Sequence, residues 1–107
     1  MSSDKVSVKH IREKLEPIFR NYPVQIAILF GSYAKGKSTD KSDIDLYIDT
    51  GGKLKGLDFV ELLEILTDTL GTDIDLIDKS HLEPDSSIMR EIIEGGKIIY
   101  EKSGDYS

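Results

Sequence analysis

Three short stretches of the chain carry residues whose types and spacing suit chemistry on phosphates. Gly31-Ser32 follows directly on an apolar run, Asp43 and Asp45 stand two apart, and Asp73 and Asp75 repeat that spacing thirty residues later within a second Asp-Ile-Asp-Leu. Residues two apart on a strand project from one face, roughly 6.5–7 Å apart along the chain. Two carboxylates held so repel each other unless a cation lies between them, and hard Mg²⁺ prefers carboxylate and phosphate oxygens. Two-metal sites stabilise both the attacking and the leaving oxygen of an in-line displacement at phosphorus. A third carboxylate, from a neighbouring strand, suits an ion nearest the nucleophile or the nucleophile's proton. Glycine lets backbone amides approach a phosphate closely, and a serine hydroxyl adds a donor. Lys35, Lys37 and Lys41 crowd the same stretch and balance triphosphate charge.

Each feature alone is weak. Most Gly-Ser turns only connect elements, and exposed strand faces are often acidic; the combination is the signal. Asp73 reads as a solvated neighbour, and Ser42 is as well suited to a turn as to a phosphate contact. Tyr33 fits loop capping better than base stacking, and Tyr47 shares the carboxylate face, where strand packing and cleft lining are equally open. His10 and His81 have no second histidine at metal-ligand spacing and read as surface residues.

The elements that must position these groups follow from periodicity. Val8, Ile11, Leu15, Ile18 and Phe19 are spaced as in a helix over 5–20, which Pro17 should kink or split. Residues 24–30 (VQIAILF) read as a strand buried on both faces. Residues 43–48 alternate, with Ile44, Leu46 and Ile48 on one face and Asp43, Asp45 and Tyr47 on an exposed one. Residues 57–70 form an amphipathic helix, with Leu62, Leu63, Leu66 and Leu70 inward and Gly71 as its stop. Strands at 73–78 and 97–101 and a short helix at 86–94 complete an α/β (α+β) layer. The 12-residue link between the first two strands is short for a parallel crossover, so a small mixed sheet is expected.

With 107 residues, a single domain spanning 1–107 is expected, its tail fraying from about 102. There is no cysteine, hence no disulfide and no thiolate chemistry. No apolar run reaches the ~20 residues of a membrane helix, and no signal-peptide core opens the chain, so the expected location is the cytoplasm. The net charge of −6 argues against nucleic acid as the main partner.

Gly31-Ser32-Tyr33-Ala34-Lys35-Gly36 followed by Ser42-Asp43-Ile44-Asp45-Leu46 resembles the signature of the DNA polymerase beta nucleotidyltransferase superfamily. The likeness is greatest to its smallest branch, the minimal nucleotidyltransferase (MNT) proteins, and runs over nearly the whole chain. One departure is Lys35, where the family often has arginine, which weakens bidentate phosphate contact there. The resemblance implies the nucleotidyltransferase fold, with Gly31 and Ser32 holding the triphosphate of ATP. It further implies Asp43, Asp45 and Asp75 as catalytic residues and metal ligands for Mg²⁺, two ions being expected. It also implies a HEPN-domain partner: in that branch the MNT member is an antitoxin that adenylylates a tyrosine of its HEPN toxin. Two other readings stay open, an antitoxin that neutralises by binding alone and a subunit that modifies a small molecule.

Overall fold

The computed structural model describes residues 8–31 and 43–102. Helix α1 (Val8–Arg20) leads into β1 (Ile26–Phe30) and β2 (Ile44–Asp49). Then come α2 (Leu57–Leu70), β3 (Ile74–Asp78), a single 3-10 turn (Lys79–His81), α3 (Ser87–Gly95) and β4 (Lys97–Glu101). The four strands lie in the order β3-β2-β1-β4. β1 runs antiparallel to β2 and to β4, while β2 and β3 are parallel and joined through α2. The sheet is therefore mixed, as the short first link requires.

Alternation on the strands sorts side chains into two layers. Ala27 and Leu29 of β1, Ile44, Leu46 and Ile48 of β2, and Ile74 and Leu76 of β3 point to one face. There they bury against Ile11, Leu15 and Phe19 of α1 and Leu62 and Leu66 of α2. Each of the buried leucine, isoleucine and phenylalanine side chains contributes about 1.5–3 kcal/mol to the folded state. Ile26, Ile28 and Phe30 of β1 point the other way with Tyr47, into a smaller cluster roofed by Met89 and Ile92 of α3. β1 is thus covered on both faces, as its unbroken apolar run demands. Among the described residues no helix is long and apolar enough to cross a membrane.

Of the two outcomes expected at Pro17, the split does not occur: α1 runs unbroken through it. Its ring lies on the exposed side of the helix, beside exposed Glu13, so the backbone bond it forgoes faces water rather than the core. The carboxylate face of β2 is not open along its length: Tyr47 is only 6% exposed, because α3 covers it. Lys102, just past β4, donates its amide to the carbonyl of Gln25 at 2.8 Å. The rest of the tail, residues 103–107, lies outside the described residues, as do 5–7 of the first expected helix.

α2 ends where its sequence signal placed the stop, and α3 begins one residue later than expected, with Ser86 as its cap. Gly71 closes α2 in the left-handed conformation (φ 71°) and donates its amide to Thr67. The Ser86 hydroxyl caps α3 by accepting from the Met89 amide at 3.1 Å. Ser86→Ala should cost about 1 kcal/mol, read as a lower urea midpoint with unchanged slope.

At the far end of the parallel strands lies a buried polar knot. Asp78, 3% exposed, accepts from the Thr50 hydroxyl at 2.9 Å and from the Ser80 amide and hydroxyl at 2.9 and 2.6 Å. His81 completes it by accepting the Asp78 amide on Nδ1 at 3.1 Å. Burial pushes the Asp78 carboxyl up, but the Ser80 and Thr50 donors, with His81 nearby, outweigh it and hold the group below its ordinary value. A depressed carboxyl stabilises the fold above the ordinary carboxylate pKa, and that stability is lost as pH falls through the folded value. Thr50→Val should therefore cost about 1–2 kcal/mol at pH 7. The deficit should shrink in acid, which denaturant titrations at both pH values would show.

Candidate active site

β1 ends at Phe30, which pairs in register with Asp45 of β2. The next residue, Gly31, takes φ 78°, a left-handed conformation that favours glycine. It also lies so close to β2 that a Cβ at this position would collide with the Asp45 carboxylate. Glycine is required here twice over, by backbone angle and by space. The turn thereby brings the Gly31 backbone against the Asp45 carboxylate.

On the other side of β2, parallel pairing with β3 sets Asp45 directly opposite Asp75. Neighbouring strands lie about 4.8 Å apart, so these two carboxylates share one face as next-door neighbours. Asp43, exposed, precedes β2 by one residue. Of the second acidic pair, it is Asp75 that acts on Asp45. The backbone carbonyl of Asp73 accepts the Ile44 amide at 3.1 Å, tying the start of β3 to β2.

The electrostatics of Asp45 are those of a site built to receive positive charge. Its carboxyl is pushed above the ordinary value by burial first, then by the charges of Asp75, Glu91 and Asp43. Each of these opposes ionisation, and a divalent cation would relieve all of them. The donors are oxygen only, matching a hard ion such as Mg²⁺. Among the described residues no three acidic or histidine side chains already converge as a closed ligand set. The carboxylates stand side by side along two strand starts.

Ser32 and Ser42, expected to contact phosphate, lie outside the described residues together with Tyr33 and Lys35, Lys37 and Lys41. Tyr47 packs under α3, where burial, then Asp49 and Asp78, push its phenol up; it is a packing residue rather than a cleft wall. His10 and His81 are exposed, as expected. Glu91, by contrast, carries no motif. Its charge bears on Asp45 because α3 folds back over the sheet, a placement no spacing along the chain announces.

Small mixed sheet, glycine turn and strand-borne carboxylates together make this chain a nucleotidyltransferase by class. It belongs to the family described as Polymerase beta, Nucleotidyltransferase, whose model matches residues 13–105. A protein of Methanocaldococcus jannaschii, provisionally named a protein adenylyltransferase, is 32% identical over 74% of this chain and 85% of its own length. A toxin–antitoxin crystal structure with AMP-PNP superimposes with a TM-score of 0.71 at 26% identity, covering 86% of this chain and 74% of that one. The fold is shared as well by a chain of the complex between the tri-AMPylated Shewanella oneidensis HEPN toxin and its MNT antitoxin. There the TM-score is 0.65 at 23% identity, over 89% of this chain and 73% of that one.

Proposed function

We propose that this nucleotidyltransferase moves AMP from Mg-bound ATP to a hydroxyl of a protein partner, a tyrosine of a HEPN-domain toxin, and so acts as that toxin's antitoxin. The observation that carries the reading is the register of Asp45 with Asp75 beside the Gly31 turn. It supports a triphosphate held on one side of β2 and an acceptor activated on the other. The adenylyl donor and the protein acceptor are supported by the named activity of the M. jannaschii relative and by the AMP-PNP-bound toxin–antitoxin structure.

In the proposed reaction the acceptor oxygen forms a bond to the α-phosphorus. The bond from that phosphorus to the bridging oxygen breaks, and pyrophosphate leaves with the electron pair. Asp75 takes the hydroxyl proton, while Gly31 and Ser32 hold the triphosphate and Ser42 assists. Asp43, Asp45 and Asp75 would hold Mg²⁺, two ions in our reading, which when bound neutralises triphosphate charge and eases loss of the acceptor proton. The side-chain-free approach of Gly31 to Asp45 would bring a triphosphate held at this turn beside that carboxylate.

The test is to incubate the chain, Mg²⁺ and α-labelled ATP with its HEPN partner, following both label and toxin activity. Label on the partner that vanishes with Asp45→Asn, together with lost neutralisation, is the expected result. A partner fully neutralised but unlabelled would mean inhibition by occlusion and would sink the transfer reading. Label found on a metabolite instead would mean a small-molecule acceptor.

A further inference from the structure

Five large apolar side chains stand exposed among the described residues, and they divide between the two faces of the sheet. Leu57 and Val60 lie on α2, behind the sheet. Ile88 and Ile93 lie on α3, and Ile98 lies on β4 opposite Ile28, all three on the carboxylate side. α3 is held there by Ile92, buried with Phe30 and Tyr47, and Phe30 is the register partner of Asp45. Its end is pressed onto the same strand, since a Cβ on Gly96 would collide with the Ile28 side chain. Ile93 is 74% exposed and stands one turn beyond half-buried Met89, so the two form an apolar row along α3. Both line a shallow groove whose charged residues are Asp85, Arg90 and Glu94. The row is apolar and its rim carries two carboxylates to one guanidinium.

Charge selects the occupant. A nucleic-acid backbone is repelled by such a rim. A second copy brings the same rim and a net charge of −6, so like meets like. A protein that presents an apolar side chain among lysines and arginines matches both row and rim. Position selects the same occupant: a hydroxyl that reaches Asp45 and Asp75 arrives on this side of the sheet, because α1 and α2 fill the other. We propose that the Met89–Ile93 row of α3 is the surface on which the acceptor protein docks, seating an apolar side chain there between basic residues and so bringing its hydroxyl to the carboxylates. The proposal rests on the reading of a protein as the acceptor. The row sets affinity for that protein and takes no part in holding nucleotide or metal.

The experiment measures binding of the HEPN toxin by calorimetry without ATP and, separately, transfer of label from α-labelled ATP. Ile93→Glu should weaken toxin binding at least about 10-fold and raise KM for the toxin in step, with kcat at saturating toxin within about 2-fold of the native chain. Glu94→Lys should weaken binding about 3- to 10-fold at low salt, a difference that shrinks as ionic strength rises. Leu57→Glu, 85% exposed on the opposite face, should stay within about 2-fold of native. Ile93→Ser, expected to weaken binding at least about 3-fold, replaces the glutamate variant if that one melts early. If the Ile93 variants bind like Leu57→Glu, the docking surface is wrong even where the toxin is labelled. If binding depends on Ile93 but the toxin takes no label, the surface stands and the transfer reading falls. A native chain that binds no toxin overturns the proposal. So does one that self-associates and becomes monomeric with Ile93→Glu, because the face is then a contact between copies.

Discussion

Asp45→Asn is expected to lower the rate of AMP transfer by at least about 10³-fold while making the ligand-free protein more stable, not less. The two effects have one origin. Asp45 is partly buried and surrounded by Asp75, Glu91 and Asp43, so in the absence of a cation its charge is a cost to the fold. A carboxyl raised in the folded state favours the protonated protein. Its cost is absent below the ordinary carboxylate pKa and grows as pH rises through the folded value. An amide removes that cost at neutral pH, and because the site is partly solvated the gain should be modest, about 1–4 °C in Tm. The gain should vanish below about pH 4, where the native carboxyl is protonated anyway. Adding Mg²⁺ should reverse the order, stabilising the native chain and leaving the variant unmoved. Thermal melts at pH 7 and pH 4, with and without Mg²⁺, check all three statements. A variant that melts lower at pH 7 without metal would contradict the electrostatic account.

Gly31→Ala should be the most damaging replacement outside the carboxylates. A Cβ at φ 78° costs about 1–2 kcal/mol in backbone conformation. It would also occupy the position of the Asp45 carboxylate, which must swing away or push β1 from β2. Loss of position at a reacting centre costs about 10²-fold in rate, so activity should fall by that much or more even where the protein remains folded. The two contributions separate in a double-mutant cycle. In an Asp45→Ala background the collision with the carboxylate is gone and only a 3.3 Å approach of the two Cβ atoms is left, so adding Gly31→Ala should then cost little more than the backbone share. Equal costs in both backgrounds, measured by denaturant unfolding, would show that the contact between Gly31 and Asp45 has no energetic weight.

The features legible in the sequence were those set by local periodicity. The α2 helix over 57–70 shows its apolar stripe and its glycine stop in the bare sequence, and the structure reproduces both. Period-2 alternation placed Ile44, Leu46 and Ile48 on one face of β2 and the aspartates on the other, because the pleat leaves no alternative. The antiparallel start of the sheet followed from the length of one connection. What stayed hidden depends on how distant segments meet. That Asp75 rather than Asp73 acts on Asp45 is a matter of strand register, which the repeated Asp-Ile-Asp-Leu does not decide by itself; only the family resemblance pointed to Asp75. The burial of Tyr47 and the approach of Glu91 both follow from α3 folding back over the sheet. The Thr50–Asp78–Ser80 knot joins residues 28 apart, one of them a threonine that reads as an ordinary loop residue. The register shift between β1 and β4, where Ala27 pairs with Tyr100 and Ile28 with Ile98, makes Ile99 the extra residue of a bulge, and no residue type foretells it.

The reaction proposed breaks the bond at the α-phosphorus, and parallel incubations of the chain and the HEPN toxin proposed as its partner with α-labelled and γ-labelled ATP test it most directly. The account predicts label on the partner from α-labelled ATP only, with all γ-label released as pyrophosphate. Partner labelled from γ-labelled ATP would mean phosphoryl transfer and would contradict it.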